Sequence, residues 1–209
     1  MSDSAELPRF AELLADAREL SAAGRRRILG ITGPPGAGKS TLAQRLVTAL
    51  GSDRAVLVGM DGFHICDAEL RRTGLRDRKG APETFDRAGY AALLHRLRRE
   101  AGTVYAPAFD RALEDSIAAA VAVPAAVPLV VTEGNYLLLW PEIRPLLDEV
   151  WYLDPPPEAR RHALIARHVA FGKTPAEAER WVLASDERNA EAVAAGRELA
   201  DRVLGWTAD

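Results

Sequence analysis

The feature that most constrains this chain is a glycine-rich stretch in which Gly33 and Gly38 are separated by four residues and followed by Lys39 and Ser40. Glycine lets a backbone turn sharply and bring its N–H groups close to phosphate oxygens, where a side chain would obstruct. The lysine adds charge near the β- and γ-phosphates, and the hydroxyl that follows can bind Mg²⁺. The pattern predicts a nucleotide-binding loop rather than a turn that binds nothing, and its residues are Gly33, Pro34, Pro35, Gly36, Ala37, Gly38, Lys39, Ser40 and Thr41.

The flanking segments favour this interpretation. The apolar run Arg27–Thr32 predicts a short buried strand before the loop, and an apolar stripe at helical spacing predicts a helix after it that ends at Gly51. Further strands are predicted at 55–60, 128–133, 149–154 and 200–204, with helices between them, and the run 118–128 is interpreted as a connector. This alternation is typical of an α/β protein, here a three-layer α/β/α P-loop NTPase fold with a parallel sheet of about five strands.

Composition excludes several classes of protein. The chain has 209 residues, 48% of them hydrophobic and 27% charged, which suits a single domain over 1–209. Its formal net charge of −3 argues against a general binder of nucleic acid or membrane surfaces. A single cysteine, Cys66, excludes an internal disulfide, and residues 1–6 show no basic segment before an apolar run. We therefore expect a soluble cytoplasmic protein with no nucleic-acid or membrane partner.

Two acidic residues follow predicted strands that can lie beside the loop. Asp61 comes after the strand at 55–60, and Glu133 ends the strand at 128–133. In open parallel sheets, ligands collect beyond the carboxyl ends of the strands. Asp61 could there accept a proton from a substrate hydroxyl or hold Mg²⁺ through water, and Glu133 could serve the metal. The alternatives are an Asp-Gly turn residue and a strand-end cap.

Candidate contacts for a second substrate lie in three segments. A histidine follows Asp61 and Gly62, although a partly buried histidine bonded to the backbone is the simpler interpretation. Five of the nine residues at 71–79 are basic, which indicates either a substrate contact or a solvated basic loop. The extended piece at 104–111 mixes aromatic and charged residues, as a pocket lining or a core can. The candidate substrate-binding residues are His64, Arg78, Lys79, Tyr105 and Arg111.

A helix rich in Arg and His is predicted after the prolines at 155–157. Its cations can close over a triphosphate and stabilise the transferred group, or they can form a solvated helix face. We interpret 158–175 as a lid because phosphoryl transfer needs positive charge from outside the loop. Thr174 and Glu177 form a capping-box pattern with Pro175 at the first helical position, which predicts a new helix running towards Ala195.

Together these motifs resemble the family of P-loop kinases that contains uridine kinase, phosphoribulokinase and the bacterial type of pantothenate kinase. The resemblance covers nearly the whole chain and is strongest to bacterial nucleoside/nucleotide kinase family proteins, some of them labelled fructose transport system kinases. It is carried by the phosphate loop and by the segments Met60-Asp61-Gly62-Phe63-His64, Arg78-Lys79-Gly80-Ala81-Pro82-Glu83-Thr84-Phe85-Asp86, Val104-Tyr105-Ala106-Pro107 and Val131-Thr132-Glu133-Gly134. Uridine kinases have Ser-Phe-Tyr after the aspartate, whereas this chain is nearer to the pantothenate kinase form.

The resemblance implies a role for each of these residues. Asp61 would be the catalytic base, Glu133 the second acid near the metal, and Arg167 the lid arginine, with Arg161 as a further lid candidate. The expected catalytic set is thus Asp61, Lys39, Glu133 and Arg167, and the expected metal ligands are Ser40 and Glu133. The segment 71–115 would be an acceptor-side insertion. The implied cofactors are ATP and Mg²⁺, the implied partner is a small-molecule acceptor, and a homodimer is compatible with the resemblance.

We therefore expect an ATP- and Mg²⁺-dependent kinase that phosphorylates a hydroxyl of a small metabolite. A nucleoside is the leading acceptor class, with pantothenate-like or sugar acceptors as alternatives. A nucleotide-dependent regulator with slow hydrolysis is the rival from another class. GTP specificity is unsupported, because the guanine-reading tetrapeptide Asn-Lys-x-Asp does not occur in the sequence.

Overall fold

The computed structural model describes residues 10–205, so the predictions for residues 1–6 and for a helix start after Pro8 lie outside the described residues. The described part contains seven strands: β1 (Arg27–Thr32), β2 (Ala55–Gly59), β3 (Val104–Asp110), β4 (Asp115–Val123), β5 (Leu129–Glu133), β6 (Glu149–Leu153) and β7 (Arg202–Leu204). It also contains seven α-helices: α1 (Phe10–Ser21), α2 (Lys39–Leu50), α3 (Asp67–Arg72), α4 (Arg87–Arg99), α5 (Pro157–Ala170), α6 (Pro175–Trp181) and α7 (Glu187–Ala194).

Five of these strands form a parallel sheet in the order β2-β5-β1-β6-β7. The predicted parallel sheet is confirmed, with strand bounds within two residues of those expected. The second strand ends at Gly59, and Met60–Phe63 forms a 3-10 turn instead of continuing the strand. The helix predicted to run from Pro175 towards Ala195 is interrupted by a π-helical segment, Val182–Asp186, between α6 and α7.

Helices cover both faces of the sheet, as the continuous burial of residues along β1, β5 and β6 requires. Ile28 of β1 belongs to a buried cluster that includes Tyr90 of α4. The next residue, Leu29, belongs to a separate cluster with Leu13 of α1 and Leu42 of α2. Successive side chains of a strand point to opposite faces, so the two clusters lie on opposite sides of the sheet. The three-layer α/β/α fold is confirmed.

The strand register brings the site segments to one edge of the sheet. In the pairing of the three neighbouring strands, Glu133 at the end of β5 lies opposite both Ile31 of β1 and Gly59 of β2. The phosphate loop begins immediately after β1, and Asp61 follows two residues after Gly59. The carboxyl ends of β1, β2 and β5 therefore present the loop and both predicted acids together.

The interpretation of 118–128 as a connector is wrong over most of its length. Residues up to Val123 belong to β4, which pairs antiparallel with β3 in a separate two-stranded sheet. The pairing jumps from Ala106↔Val121 to Ala108↔Ile117, and the extra residues of β4 include Ala119 at φ 56°. Alanine is depleted in strands, and most of β4 is exposed, so neither strand propensity nor an apolar alternation indicated this strand in the sequence.

The hairpin packs directly on the turn that presents Asp61. A Cβ atom built on Gly62 would lie 2.5 Å from the carbonyl oxygen of Pro107 in β3. Ser116 of β4 also donates its hydroxyl to the carbonyl oxygen of His64 at 3.2 Å. The hairpin therefore forms one wall beside the carboxyl end of β2.

Asp148, just before β6, connects three elements through its carboxylate. The side chain is only 4% exposed and accepts a hydrogen bond from the Ile28 N–H at 2.9 Å. It also pairs with Arg25, Arg27 and Arg98 at 3.0, 2.9 and 3.1 Å. Burial raises the pKa of Asp148, but the hydrogen bonds from Ile28 and Arg27 and the charges of Arg98 and Arg25 together bring it below its ordinary value.

We predict that Asp148→Asn lowers the free energy of unfolding at pH 7 by about 2–4 kcal/mol, because three guanidinium groups lose a buried partner. Since the folded pKa lies below the unfolded one, the carboxylate stabilises the fold above about pH 4 and this contribution is lost as the pH falls further. Urea unfolding at several pH values measures both effects. Asp16→Asn removes a more exposed ion pair with Arg202 and should cost under about 1 kcal/mol. A difference between wild type and Asp148→Asn that persists unchanged in acid would contradict the assignment.

Candidate active site

The phosphate loop is shaped by close contacts with the strand and helix around it. Gly36 has φ +80°, and a Cβ atom there would lie 2.7 Å from Cγ of Leu164 and 2.8 Å from the carbonyl oxygen of Arg160, both in α5. Gly38, at φ +83°, is the N-cap of α2 and leaves that helix start without a side-chain cap. The uncapped N–H groups of the first turn and the positive end of the helix dipole favour an anion at this point.

Lys39 is buried beneath the loop. Its side-chain ammonium donates hydrogen bonds to the carbonyl oxygens of Gly33 and Pro34, both at 2.9 Å, and the residue is 7% exposed. Burial lowers the pKa of Lys39, the charges of Glu133 and Asp61 raise it, and those of Arg167 and Arg160 lower it further. A cation is therefore held under the loop within the electrostatic reach of both predicted acids.

Glu133 is the buried acid beside Lys39. The residue is 8% exposed at the end of β5 and accepts a hydrogen bond from the Ser40 hydroxyl. Burial raises the pKa of the Glu133 carboxyl, and the charge of Asp61 raises it further, while Lys39 and the Ser40 hydrogen bond lower it. Buried groups with such displaced pKa values concentrate at functional sites. The structure brings Lys39, Ser40, Glu133 and Asp61 together; their catalytic roles stay predictions.

Asp61 is less buried and is paired with Arg111. The Arg111 guanidinium lies 2.9 Å from Oδ2 of Asp61, and the two side chains are 56% and 34% exposed. Arg111 belongs to the turn of the β3–β4 hairpin, so the hairpin carries a cation to the predicted base. This pairing was not predicted, because the two residues are fifty positions apart in the sequence.

His64 is fixed by the backbone and by aromatic rings. Its Nδ1 lies 2.8 Å from the carbonyl oxygen of Asp61, a geometry in which the ring nitrogen donates. The ring packs against Phe85 and Phe109 at centroid distances of 4.0 and 4.7 Å. Burial lowers the pKa of His64. The simpler interpretation, a histidine bonded to the backbone, matches this geometry, and the substrate contact stays a prediction.

The other predicted acceptor contacts are dispersed. Lys79 is 10% exposed and bonds to the carboxylate of Asp67 at 2.6 Å and to the carbonyl oxygen of Glu114, so its ammonium ties α3 to the hairpin. Arg78 pairs with Glu83 at 2.5 Å. Tyr105 is 57% exposed on β3. The structure therefore does not gather these three side chains with Asp61 in one cluster.

In the predicted lid, the arginine that touches the loop is Arg160. It is 5% exposed, donates to the carbonyl oxygen of Pro35 at 3.3 Å, and pairs with Glu187 of α7. Arg161 also pairs with Glu187, at 3.1 Å. Arg167 is exposed on α5, and its charge acts on Lys39. The sequence did not indicate that Arg160 contacts the loop, because the predicted helix contains several other cationic residues that could equally have done so.

A cleft of 670 Å³ lies between the acceptor-side segment and the region that runs from the end of the predicted lid through α6 and α7. Its walls include Arg78 and Pro82 on one side and Lys173, Trp181 and Arg188 on the other. The loop residues 33–41 do not line it. The structure thus separates the phosphate loop from a second cavity large enough for a small molecule.

A glycine-rich loop at the carboxyl edge of a parallel sheet, with a buried lysine beneath it and acids at neighbouring strand ends, defines a P-loop phosphotransferase. The family model of Methylmalonyl Co-A mutase-associated GTPase MeaB matches residues 5–61, the part that carries this loop. The uncharacterized protein YggC of Escherichia coli is 35% identical over 192 residues, which cover 88% of this chain and 79% of YggC.

Two further relatives carry kinase names. A candidate uridine kinase of Schizosaccharomyces pombe, C227.14, is 32% identical over 85% of this chain and 81% of its own length. A solved structure from Silicibacter sp. TM1040, described as a candidate fructose transport system kinase, is 34% identical with a TM-score of 0.85 and covers 96% of this chain and 100% of its own. The chain belongs to the family of small-molecule P-loop kinases that these relatives represent.

We predict that Gly36→Ala weakens nucleotide binding and lowers the free energy of unfolding by about 2–4 kcal/mol, because the new methyl group combines backbone strain with a clash against α5. Gly74→Ala is the matched control, since Gly74 also has a positive φ, +71°, but nothing within 4 Å of the added Cβ. It should cost about 1 kcal/mol and leave nucleotide affinity unchanged. Urea unfolding and titration with a fluorescent ATP analogue measure the two effects. Equal losses in both variants would show that α5 does not restrain the loop.

Proposed function

We propose that the protein is an ATP- and Mg²⁺-dependent kinase that phosphorylates a hydroxyl group of a small metabolite. The observation that carries the proposal is the meeting of the buried pair Lys39 and Glu133 with Asp61 at the carboxyl edge of the sheet. In this arrangement Lys39 is a cation for phosphate oxygens, and Glu133 is an acid next to a hydroxyl. Asp61 is a second carboxylate on the acceptor side. Membership of a small-molecule kinase family supports the same reaction class.

The donor set fits a magnesium nucleotide. Residues 33–41 would hold the phosphates through loop N–H groups and Lys39. The Ser40 hydroxyl and the Glu133 carboxylate are oxygen ligands that already lie side by side, and Mg²⁺ binds through one or two such groups while keeping water and phosphate oxygens. When bound, Mg·ATP supplies the phosphoryl group and neutralises the charge that develops on it.

Asp61 would act as the base. Arg111 holds Oδ2 of Asp61, which leaves the other carboxylate oxygen to accept a proton from the acceptor hydroxyl. The acceptor oxygen would form a bond to the γ-phosphorus as the bond from that phosphorus to ADP breaks. Arg167 would close on the transferred group from α5, and Arg160 would hold the loop itself through Pro35.

The leading acceptor is a nucleoside or a nucleoside-like compound, as the name of the Schizosaccharomyces pombe relative supports. A sugar of the fructose type is the alternative suggested by the name of the Silicibacter protein. A pantothenate-like acceptor is the third, since a pantothenate kinase of Leifsonia xyli is 33% identical over 53% of this chain. His64, Arg78, Lys79, Tyr105 and Arg111 are the residues proposed to contact the acceptor.

The proposed partners are small molecules. The net charge of −3 supports the absence of a nucleic-acid partner. Among the helices of residues 10–205, none has the length and apolar character needed to cross a membrane. The proposed site of action is the cytoplasm, and a homodimer is compatible with the proposal.

A nucleotide-dependent regulator is the second candidate, because the MeaB match covers the loop segment at residues 5–61. It would hydrolyse nucleotide slowly and respond to a protein. ADP release from Mg·ATP distinguishes the two when it is followed with nucleosides, pantothenate and free sugars, and with Lys39→Ala as the blank. Strong release with one class of acceptor, lost in the blank, supports the kinase. Slow release that no acceptor stimulates supports the regulator.

We predict that Asp61→Asn lowers kcat by about 10²–10⁴-fold with little change in ATP affinity, because an amide cannot accept the proton. Asp53→Asn changes an exposed aspartate in the turn after α2 and should leave kcat within about twofold, as expected of a surface substitution. Steady-state rates and ATP titration measure the two parameters. An Asp61→Asn enzyme with normal kcat would exclude Asp61 as the base.

A further inference from the structure

The 670 Å³ cleft differs in charge from the protein as a whole. The chain carries a net charge of −3, yet the cleft lining includes four cationic side chains against two acidic ones, Asp77 and Glu177. The Glu177 carboxylate already accepts hydrogen bonds from the N–H and hydroxyl of Thr174, at 2.9 and 2.7 Å. A cavity with an excess of one sign raises the local concentration of the opposite ion. The cleft therefore favours an anionic occupant.

Three of the four cations form no salt bridge among the described residues, although the charges of Arg180 and Lys173 act on the Glu177 carboxylate. Arg78 is paired with Glu83 at 2.5 Å. Within residues 10–205, no acidic side chain forms an ion pair with Arg180 or Arg188. The Lys173 ammonium lies 4.8 Å from the ring centroid of Trp181. The guanidinium groups of Arg180 on α6 and Arg188 on α7 can thus bind a carboxylate or a phosphate, which arginine holds through two parallel hydrogen bonds.

The nucleotide does not account for these charges. Its phosphates belong with the loop residues 33–41, none of which lines the cleft. The cations at the loop are Lys39 and Arg160, which bond to carbonyl oxygens of the loop itself. Arg180 and Arg188 line the cleft instead, where they are available to a second molecule.

The cleft wall is hydrogen-bonded to the segment that carries Asp61. The turn after Pro82 provides the Thr84 carbonyl oxygen, which accepts from the N–H of Ile65 at 2.9 Å. The N–H of Asp86 in turn donates to the carbonyl oxygen of Phe63 at 2.8 Å. A molecule in the cleft is therefore held by a wall in fixed register with the predicted base.

The uncharged part of the lining is mainly apolar and includes Ala81, Pro82, Trp181 and Ala192, together with the polar side chains of Ser185 and Asn189. We propose that the acceptor carries an anionic group, a carboxylate or a phosphate, which Arg180 and Arg188 bind while the apolar body packs against Trp181 and Pro82 and the hydroxyl reaches Asp61. This inference rests on the proposed kinase function and changes its leading acceptor from an uncharged nucleoside to a compound that carries an anionic group. An uncharged nucleoside or sugar would leave both guanidinium groups without a partner.

Matched pairs of acceptors test the proposal, since each pair differs in one anionic group and both members keep a primary hydroxyl. The carboxylate pairs are glycerate with glycerol and pantothenate with panthenol. The phosphate pairs are fructose 6-phosphate with fructose and uridine 3′-monophosphate with uridine. Mg·ATP-dependent ADP release gives kcat/KM for each compound with four proteins: wild type, Arg180→Gln/Arg188→Gln, Arg99→Gln and Lys39→Ala. Arg99 is an exposed arginine of α4 outside the cleft and is the matched control.

We expect the anionic member of at least one pair to be preferred about tenfold or more by wild type and by Arg99→Gln, and the double variant to lose that preference. Whether a carboxylate or a phosphate pair responds identifies the anion. The inference would be overturned if a neutral compound gave the same kcat/KM as its anionic partner, or if the preference for the anionic compound survived both substitutions. In either case, ADP release that depends on Lys39 would still support a kinase. ADP release that never exceeds the Lys39→Ala blank would reject the proposed function and the inference together.

Discussion

The buried charge of Lys39 is the constraint on which the rest of the site depends. A cation removed from water is costly unless hydrogen bonds and an opposite charge compensate for the lost hydration. Here the carbonyl oxygens of Gly33 and Pro34 and the nearby Glu133 provide that compensation. Lys39 begins α2 and Glu133 ends β5, so the pair exists only when β1 and β5 keep their observed register. The β1–β5 register that builds the sheet therefore also places the two charges of the proposed site next to each other.

Segments far apart in the sequence then complete the site around this pair. The turn after β2 brings Asp61, the β3–β4 hairpin brings Arg111 to it, and α5 packs on the loop at Gly36. The close approach of Leu164 and Arg160 to Gly36 leaves the phosphate loop little freedom to rearrange. The acceptor side is less enclosed, since Asp61 and Arg111 are both partly exposed and the cleft beyond them is wide.

The parts predictable from sequence are those with a local signal. The strand before the loop, the Gly51 end of α2 and the Thr174 capping box were all predicted correctly, because each depends on residues within a few positions. Strand β4 carried no such signal, since its alanines are exposed. Tertiary packing determines the ion pair of Lys79 with Asp67 and the hydrogen bond from Arg160 to Pro35. A basic stretch in a sequence does not show which of its residues will be buried.

We propose that the Lys39–Glu133–Asp61 site transfers phosphate to a carbon-bound hydroxyl. The most direct test of this claim is to follow the γ-phosphate of labelled ATP after incubation with the protein, Mg²⁺ and a mixed pool of small hydroxyl compounds. The site predicts label in a phosphate monoester of one compound, with none formed by Lys39→Ala. Label found solely as inorganic phosphate, at a rate that the pool does not change, would contradict the claim.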